Sequence, residues 1–157
     1  MPSGLTFRTA GQQDLSHIVD LYADLNPDDL PASQDLRRDT FQKMLVQPGL
    51  DVILGFQEEV PVTSCVLLVI PNLTRGCAPF ALIENVVTRK DHRGKGIGKD
   101  LIRHAVDRAW AAGCFKVMLM SGSANDKAHA FYEQAGFKRS KVGFEIRRPG
   151  YPSRRID

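Results

Sequence analysis

At 157 residues, 43% hydrophobic and 25% charged, the chain has the size and composition of one globular domain, which argues against disorder. A net charge of +3 is too small to make nucleic acid a default partner, and the longest apolar run, Val66 to Ile70, is far too short to span a bilayer. Cys65, Cys77 and Cys114 lie far apart with no CxxC spacing, which argues against a zinc site or a disulfide framework.

Thiols of that kind suit a reducing compartment, and the N-terminus has no apolar leader, so a cytoplasmic protein is expected. In chain order, Leu5 to Thr9 reads as a short strand. The next stretch carries Leu15, Ile18, Val19, Tyr22 and Leu25, spacings of three and four that predict an amphipathic helix. A turn-rich break, NPDDLPAS, separates it from a second helix over Gln34 to Val46, with Leu36, Phe41, Met44 and Leu45 as its apolar face. Pro48 and Gly49 stop that helix.

Two strands follow, DVILGFQEE and VPVTSCVLLVIP, joined in a hairpin around Glu58 and Glu59. Cys77 to Thr88 is a further strand. A glycine-rich basic segment then opens a long helix whose expected face holds Ile97, Leu101, Ile102, Ala105, Val106, Ala109 and Trp110. Phe115 to Met120 reads as a central strand, NDKAHAFYEQAG as a short helix closed by Gly136, and KVGFEIRR as a last strand. Antiparallel strands followed by a βαβ crossover predict one α/β (α+β) domain over residues 1–157, with a mixed, twisted sheet.

The glycine segment carries the chemistry. A strand, a loop and a helix start in that order bring unpaired backbone N–H groups and the positive end of the helix dipole to one place, which suits an anion. Gly94, Gly96 and Gly98 let a bulky diphosphate approach the backbone, and Arg93, Lys95 and Lys99 add positive charge. The spacing fails a Walker A loop, because Gly96 follows Lys95 and Arg89 stands five before Gly94. It fails a dinucleotide fingerprint too, because Lys99 stands where the third glycine belongs.

A third pattern, R/Q-x-x-G-x-G/A, fits throughout as Arg93-Gly94-Lys95-Gly96-Ile97-Gly98. Here the chain resembles the Gcn5-related N-acetyltransferase (GNAT) superfamily, which moves an acyl group from coenzyme A to an amine. LIENVVTRKDHRGKGIGKDLI resembles the family's acyl-CoA-binding motif. NDKAHAFYEQAGFK resembles its later helix, with Asn125, Ala128, Tyr132 and Gly136-Phe137 at the family's spacing.

The resemblance implies a GNAT fold, a mostly antiparallel sheet with helices on both faces around a βαβ acyl-CoA-binding core. It implies acetyl-CoA as acyl donor, no metal, and direct transfer to a primary amine in a ternary complex. The amides from Arg93 to Lys99 would hold the diphosphate. The strand from Asn85 to Val87 would bond the pantetheine arm where two parallel strands splay, with a backbone N–H near Val86 facing the thioester carbonyl. Tyr132 would give a proton to the leaving thiolate, and Asn125 would bond the pantetheine or simply cap its helix.

Glu84 stands two residues before Val86, which in a regular strand puts both on one face, so its carboxylate is a candidate base. A structural salt bridge is the competing role for Glu84, and His92 and His129 are alternative bases. The acceptor, small or peptidic, is left open: Asp28, Asp29 and Asp35 would favour a cationic amine, while Arg147, Arg148, Arg154 and Arg155 would favour an acidic one. No nucleic-acid or membrane partner is expected, and a homodimer is implied because related enzymes are often dimers. A non-catalytic acyl-CoA sensor on the same fold is the alternative function.

Overall fold

A computed structural model describes residues 4–151 and 153, and it divides after Leu119 into two compact units. The first holds a five-stranded sheet in chain order: β1 (Leu5–Thr9), β2 (Leu50–Gln57), β3 (Val60–Ile70), β4 (Phe80–Thr88) and β5 (Val117–Met118). The first four strands pair antiparallel, and β5 pairs parallel to β4. The helices of this unit are α1 (Leu15–Leu25), α2 (Gln34–Val46) and α3 (Ile97–Ala111).

The β2–β3 hairpin turns on the two residues the sequence marked. Glu58 and Glu59 both take left-handed φ, 49° and 69°, as a two-residue turn matched to strand twist requires. Period-two burial then sorts the sheet's faces. Val52, Leu54, Val66 and Val87 pack against Ile18, Leu21 and Leu25 of α1 and Phe41 of α2. On the other face α3 lays Ile97 against Leu5 and Val62, and His104 stacks on Phe7 at 4.9 Å. Val62 reaches that face because a bulge beside Gly55/Phe56 reverses the strand's alternation before Val66. Helices therefore cover both faces, as expected.

Several details of this unit depart from the sequence reading. Leu36 is 58% exposed and Trp110 is 50% exposed. At about 100° per residue Leu36 falls about 140° around the helix from buried Phe41, and Trp110 is similarly far from the middle of the stripe formed by Leu101, Ala105 and Ala109. The strand predicted over Phe115 to Met120 shortens to Val117–Met118, because its ladder with β4 ends there. The stretch preceding β4 contains a turn, Thr74–Cys77, in which Arg75, Gly76 and Cys77 are all left-handed; the strand begins at Phe80 rather than Cys77.

Among the described residues the second unit contains one helix, α4 (Asp126–Gln134), which Asn125 caps by accepting from the Ala128 N–H at 3.1 Å. Gly136, with φ 97°, closes it. The last predicted strand, Lys141 to Arg148, is not formed: no strand among the described residues follows Met118, and an alternating pattern makes a strand only where a ladder partner lies beside it. Arg154 and Arg155 lie outside the described residues.

Candidate functional site

The crossover from β4 to α3 builds the site in the first unit. Asp91, Lys90 and His92 form a short 3-10 turn, and Gly94 and Gly96 then take φ 75° and 80° before α3 begins at Ile97. Residues with a Cβ rarely adopt that backbone. A Cβ built on either glycine would meet no atom within 4 Å, so the space beside the loop at both positions is open. The first N–H groups of α3 lack intrahelical partners and add the dipole's partial positive charge. Ile97 is buried under the loop as its apolar anchor, while Gly98 is half-buried and Lys99 exposed.

Two of the three basic side chains hold the loop itself. Arg93 donates from Nε to the Thr88 carbonyl at 3.0 Å and from Nη2 to the Asp24 carbonyl at 3.3 Å. Lys95 Nζ donates to the Asp91 carbonyl at 3.1 Å. The Asp24 carboxylate accepts from the Lys90 N–H at 3.0 Å, tying α1 to the loop. Asp91 takes Arg89 at 2.9 Å and pairs with His92 Nδ1 at 2.8 Å, and these contacts, His92 first, hold its carboxyl below the usual range. His92 thus braces the loop through Asp91. Sequence reasoning missed Asp24 and Asp91; an acidic residue on the polar face of α1 and another at the head of DHRGKG were the available signals.

β4 is interrupted at its centre. Glu84 pairs with Val66 and Val87 with Ser64, so Asn85 and Val86 together stand opposite Cys65 alone. Asn85 takes φ 51° to make this bulge, a conformation asparagine tolerates better than its β-branched neighbours would. The bulge corrects one expectation: Glu84 shares its face with Val87, not with Val86, because the extra residue reverses the alternation. Glu84 is exposed, yet its partial burial raises its pKa. Val86 is half-buried and Val87 buried, and the Val87 carbonyl accepts from Thr63 Oγ1 at 2.8 Å.

On its other side β4 pairs with β5 only at Ala81–Val117 and Leu82–Met118. From Ile83 to Thr88 that edge carries no ladder among the described residues. Tyr22 of α1 was also overlooked. Its hydroxyl is buried without a partner in bonding geometry; burial raises the phenol's pKa, and the nearby Asn85 carboxamide opposes that shift. Cys65, under the bulge, is pushed up to about 12 by burial, which makes its thiolate inaccessible at neutral pH.

In the second unit Tyr132 is half-buried, with Phe131 and Phe137 edge-on at 5.0 and 6.1 Å. His129 is largely covered, and its Nε2 bonds the Gly122 carbonyl at 2.8 Å, so it too braces a loop. Asn125 and Tyr132 lie on one helix, seven residues apart.

Comparisons with known proteins bear on these features. A glucosamine 6-phosphate N-acetyltransferase from Trypanosoma brucei brucei is 39% identical over 77 residues, 49% of this chain and 50% of that one; the chain thus matches about half the length of this curated relative. A solved structure from Agrobacterium tumefaciens str. C58 that carries an acetyltransferase name superposes with a TM-score of 0.88 at 43% identity, covering 91% of this chain and 99% of that one. An aminoglycoside N-acetyltransferase in complex with CoA shares the fold, with a TM-score of 0.77 at 18% identity over 95% of this chain and 99% of that one. The model of the acetyltransferase (GNAT) family matches residues 18–137, which span the bulged strand, the glycine loop and α4, and the chain belongs to that family.

Proposed function

We propose that this protein is an acyl-CoA-dependent N-acyltransferase that moves acetyl from acetyl-CoA to a primary amine by direct transfer in a ternary complex. One observation carries the reading: an open loop at Gly94 and Gly96, at the head of α3, continues into a stretch of β4 edge with no ladder partner. The loop suits a diphosphate and the edge suits an amide-bearing arm, so the residues present fit coenzyme A. Bound there, the coenzyme supplies the activated acyl thioester.

The chain's own groups then have separable tasks. Backbone amides between Arg93 and Lys99 bind the diphosphate, with Lys99 contributing charge. Asn85 to Val87 orient the pantetheine, and the Val86 N–H donates to the carbonyl oxygen as negative charge grows on it. Glu84 takes the proton of the amine, directly or through a water; its raised pKa makes it a stronger base than an ordinary glutamate. Tyr132 gives a proton to the departing sulfur. Asn125 keeps its Oδ1 on the helix cap, so the assignment to pantetheine rests on its NH2.

Both units act as one catalytic domain in this reading, in a reducing cytoplasmic setting that suits the free thiols of Cys65, Cys77 and Cys114. Amino sugars head the acceptor panel, since the names of two of the relatives above specify them. Calorimetric titration with acetyl-CoA, followed by a free-thiol release assay over amino sugars, polyamines, amino acids and peptides, tests the reading. Micromolar binding with turnover of an amine is expected; binding without turnover of any amine would leave a sensor instead.

A further inference from the structure

Tyr22 of α1 has no task in the proposed mechanism. Its ring packs on the cluster that joins α1 to Val66 of β3 and Val87 of β4, yet its hydroxyl is buried there with no partner in bonding geometry. A buried hydroxyl in that state has lost its bonds to water and gained none in return, which native folds rarely leave unresolved. The Asn85 carboxamide stands beside it. Burial raises the phenol's pKa, so at neutral pH it keeps its proton and is a donor without an acceptor.

Asn85 reaches that place because its backbone is left-handed. Glu84 pairs with Val66 and Val87 with Ser64, so both share the sheet face that α1 covers. In a regular strand the residue after Glu84 points to the opposite face, away from α1. With φ 51°, and with one residue more than β3 matches, Asn85 instead brings its carboxamide to Tyr22.

We propose that Tyr22 is a positioning residue for acyl transfer: its O–H donates to the Asn85 carboxamide oxygen and so holds the β4 bulge that aims the Val86 N–H at the thioester carbonyl. This role rests on the acyl-transfer reading above. A turn of the carboxamide about its side-chain torsions closes the bond, and Asn85, exposed to solvent, has room for that turn. The bond exists only in the bulged form, because a regular strand carries Asn85 away from α1. A bond made in one of two states shifts the balance toward that state. Asparagine needs this help, since a left-handed backbone is costly for a residue with a Cβ. Glycine does not, because it takes positive φ readily. Tyr22 acts through Asn85 and not by contact with coenzyme or amine.

Tyr22→Phe keeps the ring and removes only the hydroxyl, so the fold and the melting temperature are expected to hold. kcat is expected to fall about tenfold, the worth of one such hydrogen bond, with KM for acetyl-CoA kept within about twofold. Adding Asn85→Gly to Tyr22→Phe is expected to restore kcat, because glycine keeps the bulge without the bond. A tyrosine that only fills space gives the opposite pattern: lower melting, kcat kept and no rescue at position 85. Backbone NMR reads the same inference without turnover. The Asn85 Cα chemical shift reports its φ and is expected to move from left-handed toward strand values in Tyr22→Phe. An unchanged kcat in Tyr22→Phe, a double variant as slow as the single, or an Asn85 shift that does not move overturns the proposal. Should the wild type turn over no amine, the proposed activity fails, and the Asn85 shift alone decides whether Tyr22 holds the bulge.

Discussion

Glycine 96 and glutamate 84 show how one residue's environment sets its use. Gly96 holds φ 80° with empty space where a Cβ would be. Gly96→Glu both strains the backbone and puts a carboxylate where a diphosphate belongs, so acetyl-CoA binding by calorimetry is expected to fall at least a hundredfold, about 2.7 kcal/mol. Glu84 is raised in pKa by burial. As a base it must be ionised, so kcat/KM is expected to rise with pH through a value above the ordinary glutamate range, and Glu84→Gln to flatten that limb and lower the rate by about 10²-fold. Stability runs the other way. A raised pKa means the folded state holds the proton more tightly than the unfolded chain, so this group's contribution is lost as pH climbs through the folded value. At neutral pH the ionised carboxylate is a net cost, and Glu84→Gln is expected to melt higher than the wild type; equal or lower melting would show that burial does not disfavour the charge.

At the scale of an element, the bulge in β4 is the feature on which the proposed chemistry turns. It needs a residue that accepts φ 51°. Asn85→Gly keeps that conformation available, and near-normal turnover with a small loss of stability is expected. Asn85→Val resists it, at about 1–2 kcal/mol for the left-handed backbone, and would drive the strand toward regular pairing. Loss of turnover beyond the loss of stability is expected, read as kcat against melting temperature. A valine variant with normal kcat would remove the bulge from the mechanism. The β2–β3 turn illustrates the same backbone energetics away from the site: Glu59→Gly relieves a left-handed non-glycine residue and is expected to stabilise by about 1 kcal/mol in a denaturant titration.

For the whole molecule, the reading that both units serve one catalytic domain makes a calorimetric prediction. Thermal unfolding is expected as one cooperative transition, and acetyl-CoA at about 100 times its dissociation constant adds about 2.7 kcal/mol to it. Two separated transitions, only one of them moved by the coenzyme, would divide the chain into independent parts.

Local physics was readable in the order of the residues. Three glycines beside basic residues before an apolar stripe can only be a helix start that meets a ligand or wastes stability. Glu58-Glu59 between alternating runs marked a hairpin, and Asn125 ahead of a short helix marked a cap. All of these depend on neighbours within a few positions. What tertiary structure decided depends on partners far along the chain. The register with β3 places Asn85 and Val86 against one residue and so moves Glu84 to the face of Val87. The parallel ladder stops at Leu82 and opens an edge of β4. Lys141 to Arg148 has a strand's alternation and no strand's partner. Periodicity states which face a segment can bury; only the rest of the fold determines whether anything is there to bury it against.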